Sequence, residues 1–243
     1  MISSQSGSVT TDFWWKPSAN TLFYIKNDWE ISDHSQYAHV MNWYWTEQYT
    51  TLSNGRKVAK FNWSNLIHSD PYNEWNSYTT FTLHWWLRKT STVSSDTSPF
   101  WWMWRSQSSS STTDRWWAKW QTEPLATSNW YIIYWWWTTE WIRNLNVWYI
   151  PSTSSFDLMT FTFNWKTVKV YKNATLIWSW TWSINIKWWS TTWTTLFAWW
   201  WWSYNWIWNA FQPCEMWEIV LEKITETDAE VLNFYNKTKN HYV

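Results

Sequence analysis

Thr160-Phe-Thr-Phe-Asn164, then Trp165 and Lys166, then Thr167-Val-Lys-Val-Tyr171: this stretch decides the fold. Apolar and polar residues alternate with period two on both sides of a short break. Alternation puts one set of side chains on each face of a strand, and two such runs around a two-residue break mark a tight hairpin. The turn is the odd part. A two-residue hairpin turn of type I′ needs φ > 0 at both central positions, which favours Asn-Gly and disfavours a bulky aromatic. Here Asn164-Trp165 occupies the place of Asn-Gly.

The same substitution recurs outward from the hairpin. Asn62-Trp63 and Asn129-Trp130 repeat it, and Trp alternates with Ser and Thr from Trp178 to Trp182. Trp also runs together at Trp135–Trp137 and Trp199–Trp202. The chain holds 35 Trp and 2 Gly in 243 residues, whereas soluble proteins average roughly 7% Gly. Two readings follow. Taken literally, the tryptophans form an aromatic surface for sugars or membranes. In the second reading, most stand where glycine belongs, because UGA means Trp under some bacterial genetic codes and Gly under others.

Turn chemistry favours the second reading. A left-handed backbone costs a non-glycine residue roughly 1–2 kcal/mol, and a couple of dozen such sites would exceed a net stability of about 5–15 kcal/mol. The literal polypeptide is therefore expected not to fold stably. UGG codons at Trp165, Trp178, Trp180 and Trp199–Trp202 would refute the decoding hypothesis. Trp75 and Trp104 are expected to be genuine.

Composition bounds the rest. Lys+Arg and Asp+Glu both number 18, so the net charge is zero, and charged residues make up 15%. The cations are scattered, which argues against a nucleic-acid partner. The single Cys214 excludes an internal disulfide. No run of 18 apolar residues is present, so no transmembrane helix and no membrane insertion are expected. Residues Met1–Thr11 lack the apolar core of a signal peptide.

Residues 1–19 read as a polar tail or the edge of an upstream segment, and residues 20–243 as one domain. Strands are expected at Thr21–Ile25, Lys57–Phe61, Thr79–Leu87, Trp130–Tyr134, Leu145–Ile150, Leu158–Asn164, Thr167–Lys172, Ser183–Lys187, Thr195–Ala198 and Glu215–Lys223. Thr90–Pro99 and Ser106–Asp114 read as Ser/Thr-rich loops. Thr227-Asp-Ala-Glu230 has capping-box spacing and starts one C-terminal helix. Many short strands and almost no helix give an all-β class, a jelly-roll sandwich of two antiparallel sheets.

With glycine at the suspect positions, four stretches resemble the laminin G-like domains of the concanavalin A-like lectin/glucanase superfamily. These are Asn20–Ser35, Gly55–Ile67 with Phe81–Leu87, Phe161–Trp178, and Trp217–Glu230. The Phe161–Trp178 hairpin is the nearest match, with Tyr171-Lys-Asn-Ala174 resembling the family's Tyr-x-Asn-Gly. The resemblance implies a concanavalin A-like jelly roll acting in recognition outside the cell. It departs from the family at Phe156-Asp-Leu-Met159, where a Trp-His-His lead is usual.

Catalytic motifs are absent from the sequence. The superfamily's glucanases carry Glu-x-Asp-x-x-Glu, which sets two carboxylates a few ångströms apart. Glu215, Glu218 and Glu222 lack that spacing and read as ordinary polar positions. His34 and His39 share the loop after the first strand and read as solvated. The resemblance makes Ca2+ the metal to consider, and loop oxygens are its usual ligands. Asp33, Asp96, Asp114 and Asn209 are the candidate ligands. Tyr131, Tyr134 and Tyr204 are the candidate sugar-stacking aromatics.

The expected function is non-catalytic recognition of a glycan or surface protein, at a cell surface or on a virion. A structural domain of a surface appendage or phage fibre is the alternative, and a glucanase-type hydrolase is a third reading. The missing leader conflicts with an extracellular site unless the true start lies upstream or the protein leaves by another route, such as a phage particle.

Overall fold

The computed structural model describes residues 15–26, 31–61, 65–69, 80–90, 98–106, 113–122, 128–135, 145–147, 152, 154–164, 166–181, 194–198 and 214–242. Sixteen strands lie in these stretches. They are β1 (Thr21–Lys26), β2 (Ser32–Asp33), β3 (Met41–Trp45), β4 (Tyr49–Thr51), β5 (Lys57–Phe61), β6 (Asn65–Ser69), β7 (Thr80–Lys89) and β8 (Ser98–Ser106). After them come β9 (Thr113–Thr122), β10 (Ser128–Trp135), β11 (Leu145–Val147), β12 (Asp157–Asn164), β13 (Thr167–Lys172), β14 (Thr175–Thr181), β15 (Thr194–Ala198) and β16 (Cys214–Glu222). One helix, α1 (Asp228–Thr238), and a 3-10 turn, η1 (Lys239–Tyr242), follow.

The strands form two antiparallel sheets. One runs β14-β13-β12-β7-β16-β1-β2, with β5 joined to β16 and β4 to β5. The other runs β11-β10-β9-β8-β15-β6-β3. The architecture is the expected all-β sandwich with one short C-terminal helix. Among the described residues no helix is long and apolar enough to cross a membrane.

The hairpin forms, but Asn164 is not at the centre of its turn as the Asn-Gly comparison expects: it is the last residue of β12 and pairs with Thr167, while Phe161 pairs with Val170. A second two-residue turn follows, because Lys172 pairs with Thr175. Its centre, Asn173-Ala174, has φ of 48° and 63°. Both are left-handed, as a type I′ turn requires. Asn173 suits the site, since its Oδ1 accepts from Leu158 N at 2.8 Å and its Nδ2 donates to Asp157 Oδ1 at 3.0 Å. Ala174 stands where glycine would be unstrained. The non-glycine residues with positive φ are Ala38, Asn173 and Ala174, so among the described residues none is a tryptophan.

Rows of paired residues cross the first sheet and give each face its character. Phe161, Leu83, Leu221 and Phe23 make one row, and Met159, Trp85, Ile219 and Ile25 the next. All eight are buried and apolar. The opposite face starts with Thr160, His84, Val220 and Tyr24, followed by Thr162, Thr82, Glu222 and Thr21. These are buried too. Strands covered on both faces lose their polar side, so residues 81–87 of β7 are all buried. The alternation that survives is between fully apolar and hydrogen-bonding residues.

Several expectations need correction. The strands Ser98–Ser106 and Thr113–Thr122 take Ser98, Pro99, Ser106, Thr113 and Asp114 from the expected loops. Pro99 is accommodated by a register shift between Pro99 and Trp101, as proline in a strand requires. The expected Ser183–Lys187 strand lies outside the described residues.

Candidate ligand cleft

The helix builds the site, so its docking comes first. Thr227 caps α1: its Oγ1 accepts from Glu230 N at 3.3 Å, and Glu230 Oε2 accepts from Thr227 N at 2.7 Å. The capping box read from sequence is therefore formed. The lead-in is stitched to the polar sheet face. Thr82 Oγ1 donates to Ile224 O and accepts from Glu226 N, at 2.9 and 2.8 Å, and Thr80 Oγ1 donates to Lys223 O at 2.9 Å. Val231, Phe234 and Thr238 form the buried face of α1.

Aromatic contacts fix the helix over the sheet. Phe234 stacks on His84 with ring centroids 3.8 Å apart. Trp86 Nε1 donates to Thr238 Oγ1 at 3.0 Å, and its ring stacks on Tyr235 at 5.8 Å. Trp15 packs edge-on against Tyr24 and Phe234, at 5.0 and 5.5 Å. Asn54, in the turn between β4 and β5, donates to His241 O at 3.2 Å.

A cleft of about 620 Å³ opens between the end of α1, the β4–β5 turn and the segment before β12. This size is ordinary for a small-molecule site. Trp86, Phe156 and Tyr235 supply aromatic surface, and Thr51, Ser53, Ser154, Ser155 and Asn240 supply neutral hydrogen-bonding groups. Arg88 and Lys239 are the charged lining residues. The Arg88 guanidinium carbon lies 4.7 Å from the Phe156 ring centre, and its Nε donates to Glu215 Oε2 at 2.7 Å. Lys239 lies 5.5 Å over the Tyr235 ring. Flat rings beside fixed donors can hold a sugar ring by its apolar face and its hydroxyls.

Deeper under α1 lies a titratable cluster. His84 Nε2 is 2.9 Å from Glu226 Oε2, and His84 Nδ1 is 2.9 Å from Thr160 Oγ1. Glu222 accepts from Thr21 Oγ1 at 2.7 Å. Burial pushes the Glu222 carboxyl up to about 7, with the hydrogen bond from Thr21 opposing and the nearby Glu226 charge adding to the rise. Glu215, Glu218 and Glu222 are thus not ordinary polar positions. Each is at most 4% exposed and is held by Arg88, Tyr24 and Thr21 respectively.

The sequence-derived site residues are dispersed. Asp33 is buried in β2 and accepts from Tyr24 N, Ser35 N, Ser35 Oγ and His39 N, at 2.8–2.9 Å. His39 Nδ1 lies 2.6 Å from its Oδ2, so His39 is buried rather than solvated. Burial acts to raise Asp33, but these hydrogen bonds outweigh it and hold the carboxyl below its usual value. Its oxygens are occupied by the protein's own donors.

Asp114 is in β9 opposite Arg105, so it is a strand residue rather than a loop residue. Asp96, Asn209 and Tyr204 lie outside the described residues. Among the described residues no group of three or more His, Cys, Asp or Glu could hold a metal ion. Tyr131 and Tyr134 are on β10 of the second sheet, opposite Lys119 and Trp116 of β9. The structure does not bring them to the cleft. Sequence reasoning missed Arg88, Phe156, Tyr235 and Lys239, which come from separate elements and share no spacing. Trp86 alone had a signal, since it lies in the Phe81–Leu87 stretch that carries part of the laminin G-like resemblance.

No protein-family model and no curated protein matches the chain. Solved structures do. The binding domain of Paraclostridial Mosquitocidal Protein 1 matches with a TM-score of 0.64 at 14% identity, over 91% of this chain and 53% of that one. Domain 4 of AbnA, a GH43 extracellular arabinanase from Geobacillus stearothermophilus, in complex with arabinotriose, matches with a TM-score of 0.60 at 14% identity. That match covers 89% of this chain and 98% of the domain. The chain shares its fold with these two domains. A botulinum neurotoxin type C structure, whose cell entry depends upon interaction with two ganglioside molecules, matches at 18% identity with a TM-score of 0.60. It covers 89% of this chain and 51% of that one. The chain thus spans about half the length of the toxin structures and nearly all of the arabinanase domain.

Proposed function

We propose that this chain is a non-catalytic carbohydrate-binding module of laminin G-like type that works outside the cell. One observation carries the reading: a cleft of ligand size is lined by Tyr235, the most exposed of its three rings, with Trp86 and Phe156 behind it, and by a hydrogen-bonding rim. Its fold is shared with an arabinanase domain that was solved with arabinotriose. Fold alone does not fix function, so the cleft has to bear the weight.

A glycan microarray followed by calorimetry tests it. Tyr235→Ala is expected to weaken binding roughly tenfold or more, the scale of losing a central aromatic contact. Tyr131→Ala and Tyr134→Ala are the competing variants. Loss of binding in those two, with Tyr235→Ala unaffected, would move the site to the second sheet. Release of reducing sugar from a bound glycan would overturn the non-catalytic assignment.

The decoding hypothesis belongs to the same proposal, since the laminin G-like pattern needs glycine at the suspect positions. Peptide mass spectrometry of the protein from its native host tests it. Glycine masses at Trp165, Trp178 and Trp180 are expected. Trp86 is the exception: its ring is buried and its Nε1 is hydrogen-bonded, so it is expected to remain Trp.

A further inference from the structure

We infer that the cleft selects an anionic glycan, carboxylated or sulfated, over a neutral one, with Lys239 and Arg88 setting the preference. This rests on the reading of the cleft as the glycan site. Among the described lining residues there is no carboxylate, and both charged ones are cations. The whole chain has zero net charge, so the single sign here is local to the site.

The two cations differ in how far their charge is already met. Arg88 directs Nε and Nη2 at one oxygen of the buried Glu215, from the side of β16. The Phe156 ring centre lies 4.7 Å from the guanidinium carbon. Among the described residues no acceptor meets Nη1, so one edge of the fork remains for a ligand. Lys239 donates to the neutral Asn236 Oδ1 at 2.9 Å and lies over Tyr235. Among the described residues it has no carboxylate partner. A planar carboxylate or a sulfate suits the Arg88 fork, and the lysine serves it as a point charge. Lys239 lies over the Tyr235 ring, so a sugar held against the open edge of that ring would bring its acidic substituent to the ammonium.

The experiment compares three oligosaccharides of equal length by calorimetry: an oligogalacturonate, a sulfated galactan fragment and a neutral galactan fragment. The anionic ligands are expected to bind more tightly. Their affinity should fall as NaCl is raised from about 0.1 to 1 M, where the Debye length shrinks from about 10 to 3 Å. Which anion binds better separates the carboxylate source from the sulfate source. Lys239→Gln is expected to cost the anionic ligands about two- to fivefold more than it costs the neutral one. Neutral and anionic ligands binding equally, or a salt-independent affinity, would overturn the charge preference and leave the glycan site standing. Binding of none of the three would overturn the glycan reading itself.

Discussion

Ala174 holds a backbone conformation that glycine adopts without strain, with φ of 63° at the centre of the β13–β14 turn. The left-handed region costs a residue with a Cβ roughly 1–2 kcal/mol. Glycine returns part of that gain through a more flexible unfolded chain. Ala174→Gly is therefore expected to stabilise the fold by about 0.5–1 kcal/mol, read as a higher denaturation midpoint. A lower midpoint would refute the strain argument. Glu222 makes the second residue-scale prediction. Its folded pKa of about 7 lies above the ordinary 4.5. The stability it contributes is thus fully present below pH 4.5 and is lost as pH rises through about 7. Glu222→Gln cannot ionise, so unfolding measured across that window should show a flatter profile, with the variant gaining on the parent as pH rises. Parallel profiles would remove the assignment. Glu226 and His84 face the same carboxyl, so the difference reports Glu222 together with its coupling to them.

At the scale of elements, α1 depends on its first turn. Its exposed residues add little burial, while Thr227 and Glu230 satisfy two backbone donors that would otherwise lack helical partners. Thr227→Ala is expected to cost about 1 kcal/mol, and to reduce ligand affinity as well, because Tyr235 enters the cleft from this helix and Lys239 from the 3-10 turn that continues it. Unchanged thermal stability would contradict the cap's role. Elements are also where legibility divides. The β12–β13 hairpin was readable because alternation and a two-residue break fix register together. The capping box was readable because its partners are three residues apart. β8 and β9 were partly misread: treating their tryptophans as glycines removes the aromatic residues that mark a strand. The cleft was not readable, because Trp86, Phe156 and Tyr235 meet only once β7, β12 and α1 have packed.

At the scale of the molecule, the order β7-β16-β1 places a strand from near the C-terminal end of the sequence between two earlier ones. β16 pairs with β7, β1 and β5. Removing residues 214–243 is expected to abolish the cooperative unfolding transition, whereas removing only η1 should leave it in place. A truncated chain that still melts cooperatively would show that the first sheet holds without its inner strand. The same placement has a meaning during synthesis. A ribosome emits β1 and β7 well before β16, at roughly 5–20 residues per second. For that interval the two strands that will flank β16 lack the neighbour that joins them, and each presents an open edge. Such edges invite pairing with other nascent chains. The seam between β7, β16 and β1 is thus among the last to close, and translation is the interval in which its edges stand open.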